Sequence, residues 1–433
     1  MRTELNIEEW KARAFACADQ IRKEIYAYGE QILKTPELGY RETRTAAFTE
    51  AEMRKIGLYN VRRVAYTGVA GDLKPETEGE RVCVMGELDA VLTPDCPYAD
   101  PETGAAHTCG HNWQIAQMLG VAKVIKETGL DRELDGNVTF LAVPAEEFVD
   151  LEYRENLIRE GKIRMKSGKQ ELIASGFFKD FSCAMMVHSQ PNHPEAACFM
   201  DCKSLGFATR RVRFIGKAAH AGGAPHEGIN ALNAASIAIM CVHAMRETFR
   251  DEDRVRVHSI ITKGGELLNI VPAEVIMETQ IRAATPEALR DTCFKVERAI
   301  RGGAYAVGTE VEISDMGSYA PLSQDAQLND LFERNALRFL PPEQIFHGRD
   351  MVGSTDMGDV TLELPAIQPT FGGYEGGAHS AGFRSVNEDL TVLLPTKILC
   401  ATVIDLLCNG GSRAREIRES FQTRKKEKDG KDI

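Results

Sequence analysis

Three short apolar runs in the first half of this chain each hand over abruptly to polar residues. Arg81–Gly86 (R-V-C-V-M-G) leads into Glu87-Leu88-Asp89-Ala90. Asn137–Val143 (N-V-T-F-L-A-V) leads into Pro144-Ala145-Glu146-Glu147, and Cys183–Val187 leads into His188-Ser189. Apolar runs this short predict buried strands. Between the first two, Ile115, Met118, Leu119, Ala122 and Ile125 recur at three and four residues. That spacing is one face of a helix that follows Asn112 and ends near Gly129. Helices are also predicted over 8–34 and 43–56. Strands interspersed with helices predict an α/β domain whose mostly parallel sheet is covered on both faces. In such sheets, sites are built beyond the carboxyl ends of the strands.

Residues 205–316 follow another rhythm. Phe207–Ile215 predicts a strand, and Ile229, Leu232, Ala235, Ile239 and Val242 mark a helix. Arg254–Thr262 alternates, with Val255 and Val257 on one face. In Glu274–Arg282, Val275, Met277 and Ile281 share one face, while Glu278, Gln280 and Arg282 share the other. A helix opens at Pro286 and is expected to stop at Gly302-Gly303, and Thr309–Ser314 is the last strand. The order β-α-β-β-α-β predicts a ferredoxin-like α+β unit. It interrupts a larger α/β domain formed by 1–204 and 317–433, since helices and a further histidine motif follow it. A chain of 433 residues is long for a single core, which agrees with two domains.

Composition narrows the function classes. The net charge of −12 argues against nucleic acid or an anionic membrane as a partner. No uninterrupted apolar run of about 18 residues occurs, so no membrane span is expected. The start of the chain lacks the apolar core of a signal peptide. Eleven scattered cysteines fit reduced thiols of a cytoplasmic protein better than a disulfide frame. The segment 413–433, rich in Lys, Arg and Glu, predicts a solvated helix end followed by disorder.

Against this ordinary background, three runs concentrate metal-ligand chemistry: His107-Thr108-Cys109-Gly110-His111-Asn112, Pro144-Ala145-Glu146-Glu147, and Ala378-His379-Ser380. Cys109 and His111, two apart on a glycine turn at a helix start, can present two ligands to one ion pair. His107 would crowd that site as a third ligand and is assigned to its surroundings. Two carboxylates after an apolar strand and a proline are costly to bury unless paired or metal-bound. Neighbours in an extended turn point apart, so one of Glu146 and Glu147 can bind metal while the other handles a proton. His188 closes a strand, and His379 lies in a glycine-rich loop that can approach a site closely. The combination predicts metal-activated water attacking a carbonyl.

The chain resembles the dinuclear-metal aminoacylase/carboxypeptidase superfamily, and within it the amidohydrolase branch of aminobenzoyl-glutamate, hippurate and indole-acetyl-amino-acid hydrolases. The matching runs are Gly86–Val91, His107–Asn112, Pro144–Glu147, Gly216–Pro225, Asn269–Pro272, Ile281–Thr285 and Ala378–Ser380, in order over about 300 residues. The resemblance implies a zinc-peptidase-like catalytic domain with an inserted ferredoxin-like lid that also forms a homodimer. It implies two divalent metal ions per subunit, zinc or manganese, held by Cys109, His111, Glu147, His188 and His379. Glu146 would be the general base and Asp89 a carboxylate steadying the site. His220 would polarise the scissile carbonyl, and Asn269 and Arg282 would hold the carboxylate of a small amide or dipeptide substrate. Glu87 stands where other branches carry a metal-binding histidine. Two departures stand out. Asn112 replaces the aspartate of the hippurate type, and the charged segment 148–179 is longer than usual. Two rival readings are a cysteine-nucleophile hydrolase built on Cys109 and a non-catalytic metal- or peptide-binding protein.

Overall fold

The structure, a computed structural model, describes residues 4–76, 78–348 and 353–429. It separates into two compact units. One comprises 4–203, 323–348 and 359–429; the other comprises 204–322 and 353–358.

The first unit is built on a six-stranded sheet. Its strands β1 (Tyr59–Val64), β2 (Gly68–Asp72), β3 (Glu80–Glu87), β4 (Gly136–Val143) and β5 (Cys183–Met185), with the short strand Ala366–Ile367, lie in the order β1-β2-β4-β3-β5-Ala366–Ile367. From β4 to the Ala366 edge all pairings are parallel, while β1 and β2 add an antiparallel edge. All eight residues of β4 are buried, as expected for a strand covered on both faces. The helix α1 (His111–Glu127) packs on β3. Its apolar spacing suggests one buried face, yet 14 of its 17 residues are buried. The helices Arg22–Leu33 and Leu394–Leu407 cover its other sides. Close approach on the first of these depends on Gly29, where a Cβ would come within 2.2 Å of the Trp113 ring.

Several local expectations need correction. The expected helix 8–34 is two helices, Glu4–Gln20 and Arg22–Leu33, broken at Ile21 where φ and ψ are −98° and 12°. The expected strand Cys183–Val187 stops at Met185, and His188-Ser189 joins a different, four-stranded sheet. The stretch Asp389–Leu407 is long and apolar enough to cross a membrane, although Lys397 and Asp405 interrupt it; 89% of its apolar window is buried, as in a core helix. The tail forms a helix, Ser412–Asp429; the disorder expected at its end falls on 430–433, outside the described residues. All eleven cysteines are free.

The second unit has the strands β6 (Gly206–Ile215), β7 (Arg256–Lys263), β8 (Glu274–Ala283) and β9 (Glu310–Tyr319), and the helices α2 (Ala231–Ala244) and α3 (Pro286–Ala306). The antiparallel sheet runs β7-β8-β6-β9. Burial along β8 alternates residue by residue, because only one face meets the helices. Asn230 and Thr285 cap the two helices by accepting backbone N–H groups. Gly302-Gly303 does not end α3, which continues to Ala306. Gly303 is instead a contact point: a Cβ there would lie 2.5 Å from Ala238 N. The unit also extends past residue 316 and takes in 353–358. Ser354 Oγ donates to Leu205 O at 2.7 Å and accepts from Arg282 Nη1 at 3.4 Å.

Candidate metal centre

Glu87 ends β3, Glu146 and Glu147 follow β4, and His188 lies three residues beyond the end of β5. These are parallel neighbours, so their carboxyl ends deliver the side chains to one edge. Cys109 and His111 flank Gly110, which has a left-handed φ of +89°. A Cβ at Gly110 would come within 2.9 Å of Ser189 Cβ, so this turn demands glycine on both counts. His379 N–H donates to Thr108 O at 2.9 Å, which ties the glycine-rich loop to the same turn.

Three sets of ligating atoms converge, each within 4.8 Å: Cys109, His111 and His188; Cys109, Glu147 and His379; and Glu87, His111 and Glu146. The first two sets share Cys109. Cys109 Sγ lies 3.6 Å from His188 Nε2. His379 Nε2 lies 3.1 Å from Glu147 Oε1. His111 Nε2 lies 3.1 Å from Glu87 Oε2, 3.8 Å from Glu147 Oε1 and 3.9 Å from Glu146 Oε2. Glu87, Asp89, Cys109, His111, Glu146 and Glu147 are all buried, while His379 is half exposed.

The histidine orientations suit ligation. His111 Nδ1 is 2.8 Å from Asp89 O and 3.3 Å from Asp89 Oδ1. Both are acceptors, so Nδ1 carries the proton and the Nε2 lone pair faces the cluster. His188 Nδ1 meets Ser189 O at 3.0 Å, with the same consequence for its Nε2. Asp89 Oδ2 also accepts Glu147 N–H at 2.9 Å. One carboxylate therefore braces both a histidine and the glutamate loop.

The donors fit a cation. His111 Nε2 is buried without a hydrogen-bond partner, and oxygens of Glu87, Glu147 and Glu146 stand 3.1, 3.8 and 3.9 Å from it. Burial alone opposes charge on His111, but Glu87, Cys109 and Asp89 lift its pKa well above the usual value. A hydrogen bond to Glu147 raises His379. Protons are drawn to these histidines because the carboxylates around them call for positive charge. Burial and Glu147 likewise push the Cys109 thiol well above the ordinary thiol value.

Three of the expected site residues belong to the second unit. His220 is exposed, and its Nδ1 accepts N–H groups from Gly222 at 3.2 Å and Gly223 at 2.9 Å. A neutral His220 therefore carries its proton on Nε2. Ala221 N–H donates to Asn269 O at 2.9 Å, which sets Asn269 beside the His220 loop. Arg282, half-buried at the end of β8, donates to Gln280 Oε1 at 3.1 Å. His107 is buried, neither ring nitrogen makes a hydrogen bond, and burial lowers its pKa to about 3.

Sequence reasoning gave no role to Glu87, Lys169, Arg154 or Glu42. Glu87 ends a visible strand, and the sequence already marks its position, though not its contacts. The others reach the site from 82 or more residues away, or through backbone contacts that no local pattern marks.

The profile of peptidase family M20/M25/M40 matches residues 83–394, which include both flanks of the cluster and the inserted unit. The chain belongs to this peptidase family. It is a hydrolase of the family's amidohydrolase and peptidase kind. Among the relatives of this M20/M25/M40 member is the Xaa-Arg dipeptidase of Mus musculus, 27% identical over 93% of this chain and 90% of that one. The hippurate hydrolase of Campylobacter jejuni is 23% identical over 76% of this chain and 82% of its own length. The crystal structure of Bacillus subtilis YXEP, described as a dinuclear metal binding peptidase, shares the fold with a TM-score of 0.70 at 18% identity, covering 90% of this chain and 99% of that one.

Proposed function

We propose that this enzyme hydrolyses the amide bond of an N-acyl amino acid, an aminobenzoyl-glutamate-like compound or a dipeptide with a free carboxylate, using two divalent ions. The observation that carries the reading is the pair of donor sets sharing Cys109, with Glu146 beside them. Cys109, His111 and His188 would hold one ion; Cys109, Glu147 and His379 would hold the other. Thiolate and imidazole suit zinc, and the carboxylate admits manganese. Such ions would polarise the scissile carbonyl and make water acidic near neutral pH. Glu146 takes one proton from the attacking water as the C–O bond forms. It returns that proton to the leaving amine as the C–N bond breaks. Asp89 keeps His111 oriented. His220, with its proton on Nε2, donates to the carbonyl oxygen as negative charge builds there. Asn269 and Arg282 hold the free carboxylate, Arg282 through its guanidinium fork. The names of the dipeptidase and hippurate hydrolase relatives support this substrate class. Eleven free cysteines support a reducing, cytoplasmic setting.

Chelation tests the reading. Dialysis against EDTA should abolish hydrolysis of hippurate-like and dipeptide substrates, and zinc or manganese should restore it. Activity that survives EDTA but not thiol alkylation would favour the Cys109 nucleophile instead.

We further infer that two copies pair through the second unit. Its edge strand β7 exposes Ile260 and Ile261, and the following loop exposes Leu267 and Leu268. An unpaired apolar edge invites a two-fold contact. His220→Ala and Glu146→Ala should each be nearly inactive. If His220 serves the partner's site, mixing the two variants should recover up to about a quarter of wild-type activity. A random mixture makes half heterodimers, each with one intact site of two. No recovery despite proven heterodimers would show that His220 does not act across the dimer.

A further inference from the structure

The charged segment that follows the two glutamates folds back beneath them. It forms the helices Leu151–Arg159 and Gly168–Ala174. Each carries a cation with no solvent exposure: Arg154 and Lys169. Arg154 Nη2 donates to Glu147 O at 2.5 Å, and Nη1 donates to Lys166 O at 2.6 Å and Ala145 O at 3.4 Å. Two of these three carbonyls flank Glu146. The amides of the same loop are held from the other side: Ala145 N–H donates to Glu42 at 2.7 Å and Glu147 N–H to Asp89 at 2.9 Å. Ala145 sits at φ +53°, a left-handed conformation that alanine adopts only where its surroundings impose it. Lys169 Nζ lies 2.5 Å from Glu87 Oε1, and both side chains are wholly buried. Glu87 Oε2 accepts from Gln114 Nε2 at 3.0 Å and lies 3.1 Å from His111 Nε2. The packing tolerates no slack. A Cβ on Gly168 would overlap Pro144 O at 1.8 Å, and one on Gly39 would lie 2.3 Å from Arg154 Nη2.

We propose that the segment 148–174 is a clamp that sets the geometry of the metal centre, with Arg154 and Lys169 as positioning residues. Arg154 fixes the backbone on both sides of Glu146, and so aims the base and the Glu147 donor. Only a guanidinium offers enough donors in one plane to reach three carbonyls. Lys169 neutralises Glu87, a buried carboxylate within reach of His111, and keeps it from being drawn onto an ion held by His111. A carboxylate left alone there would be both buried and uncompensated. The proposal rests on the two-ion reading above.

The test uses the full-length protein loaded with cobalt(II), whose visible bands report coordination and whose near-ultraviolet charge transfer reports a thiolate ligand. Arg154→Lys and Lys169→Met should bind cobalt with altered visible bands. Both should lose about 10- to 100-fold in metal affinity or kcat, the range for partners that orient metal ligands. KM should stay within about threefold. In Lys169→Met/Glu87→Gln the uncompensated carboxylate is gone, so bands and kcat should move back toward wild type. Folded variants with wild-type bands and kcat would overturn the clamp, and a double variant no better than Lys169→Met would overturn the role given to Lys169. Should Arg154→Lys not fold, the Lys169 pair decides. A wild type lacking the thiolate band would overturn the two-ion reading itself, and the clamp with it.

Discussion

Glu146→Gln is expected to lower kcat by about two to four orders of magnitude, the range for losing a general acid–base group, with both ions still bound. The substitution keeps the size of the side chain and its place after β4. The amide cannot take a proton from water and pass it to the amine. The surroundings make the outcome informative. Glu146 Oε2 is 3.9 Å from His111 Nε2, and Glu146 shares a donor set with Glu87 and His111. A variant that loses activity and one metal equivalent together would recast Glu146 as a ligand. A variant that keeps more than a tenth of wild-type kcat would remove it from proton transfer. Measuring kcat and metal content on the same preparation separates these cases.

Cys109→Ser is expected to cost both ions at once. The two donor sets share this one sulfur, and a neutral hydroxyl is a far poorer ligand than thiolate. Affinity should fall by more than about 100-fold, the upper end for disturbing only a partner of a ligand. Competition with a chelator, followed by elemental analysis, reads the loss directly. One retained equivalent would mean that Cys109 serves a single ion; two would exclude it from the site. The raised pKa of Cys109 adds a sign. The thiol is protonated before metal arrives, so loading releases a proton and should weaken as pH falls. His111 and His379, whose pKa values are also raised, release protons too. Cys109→Ser should therefore lessen that pH dependence without abolishing it, and an unchanged dependence would give the thiol no part in it.

Much of this centre was legible along the chain because its pieces are local. A strand that ends in Pro144-Ala145-Glu146-Glu147 announces buried carboxylates. Cys109-Gly110-His111 announces a turn at a helix start, and alternation in Glu274–Arg282 announces one face against helices. Other features misled for equally local reasons. Gly302-Gly303 reads as a helix stop, but its second glycine serves contact with Ala238 inside a continuous helix. The spacing of α1 reads as one buried face because periodicity records only the strongest side, while neighbouring helices cover the rest.

The order of elements, the edge at which chemistry gathers and the candidate donor types were determined by the sequence itself, since side-chain period and turn chemistry act between near neighbours. Which candidate donors come within reach of one another was decided only in three dimensions. His188 and His379 meet Cys109 and Glu147 because the parallel order β4-β3-β5 and a loop hydrogen-bonded to Thr108 bring together residues up to 270 positions apart. The same holds for Arg154 on the glutamate loop and Lys169 on Glu87. A buried cation is tolerable only where its partners already wait. Those partners lie on other strands and helices, so the pairing exists only once the sheet has formed.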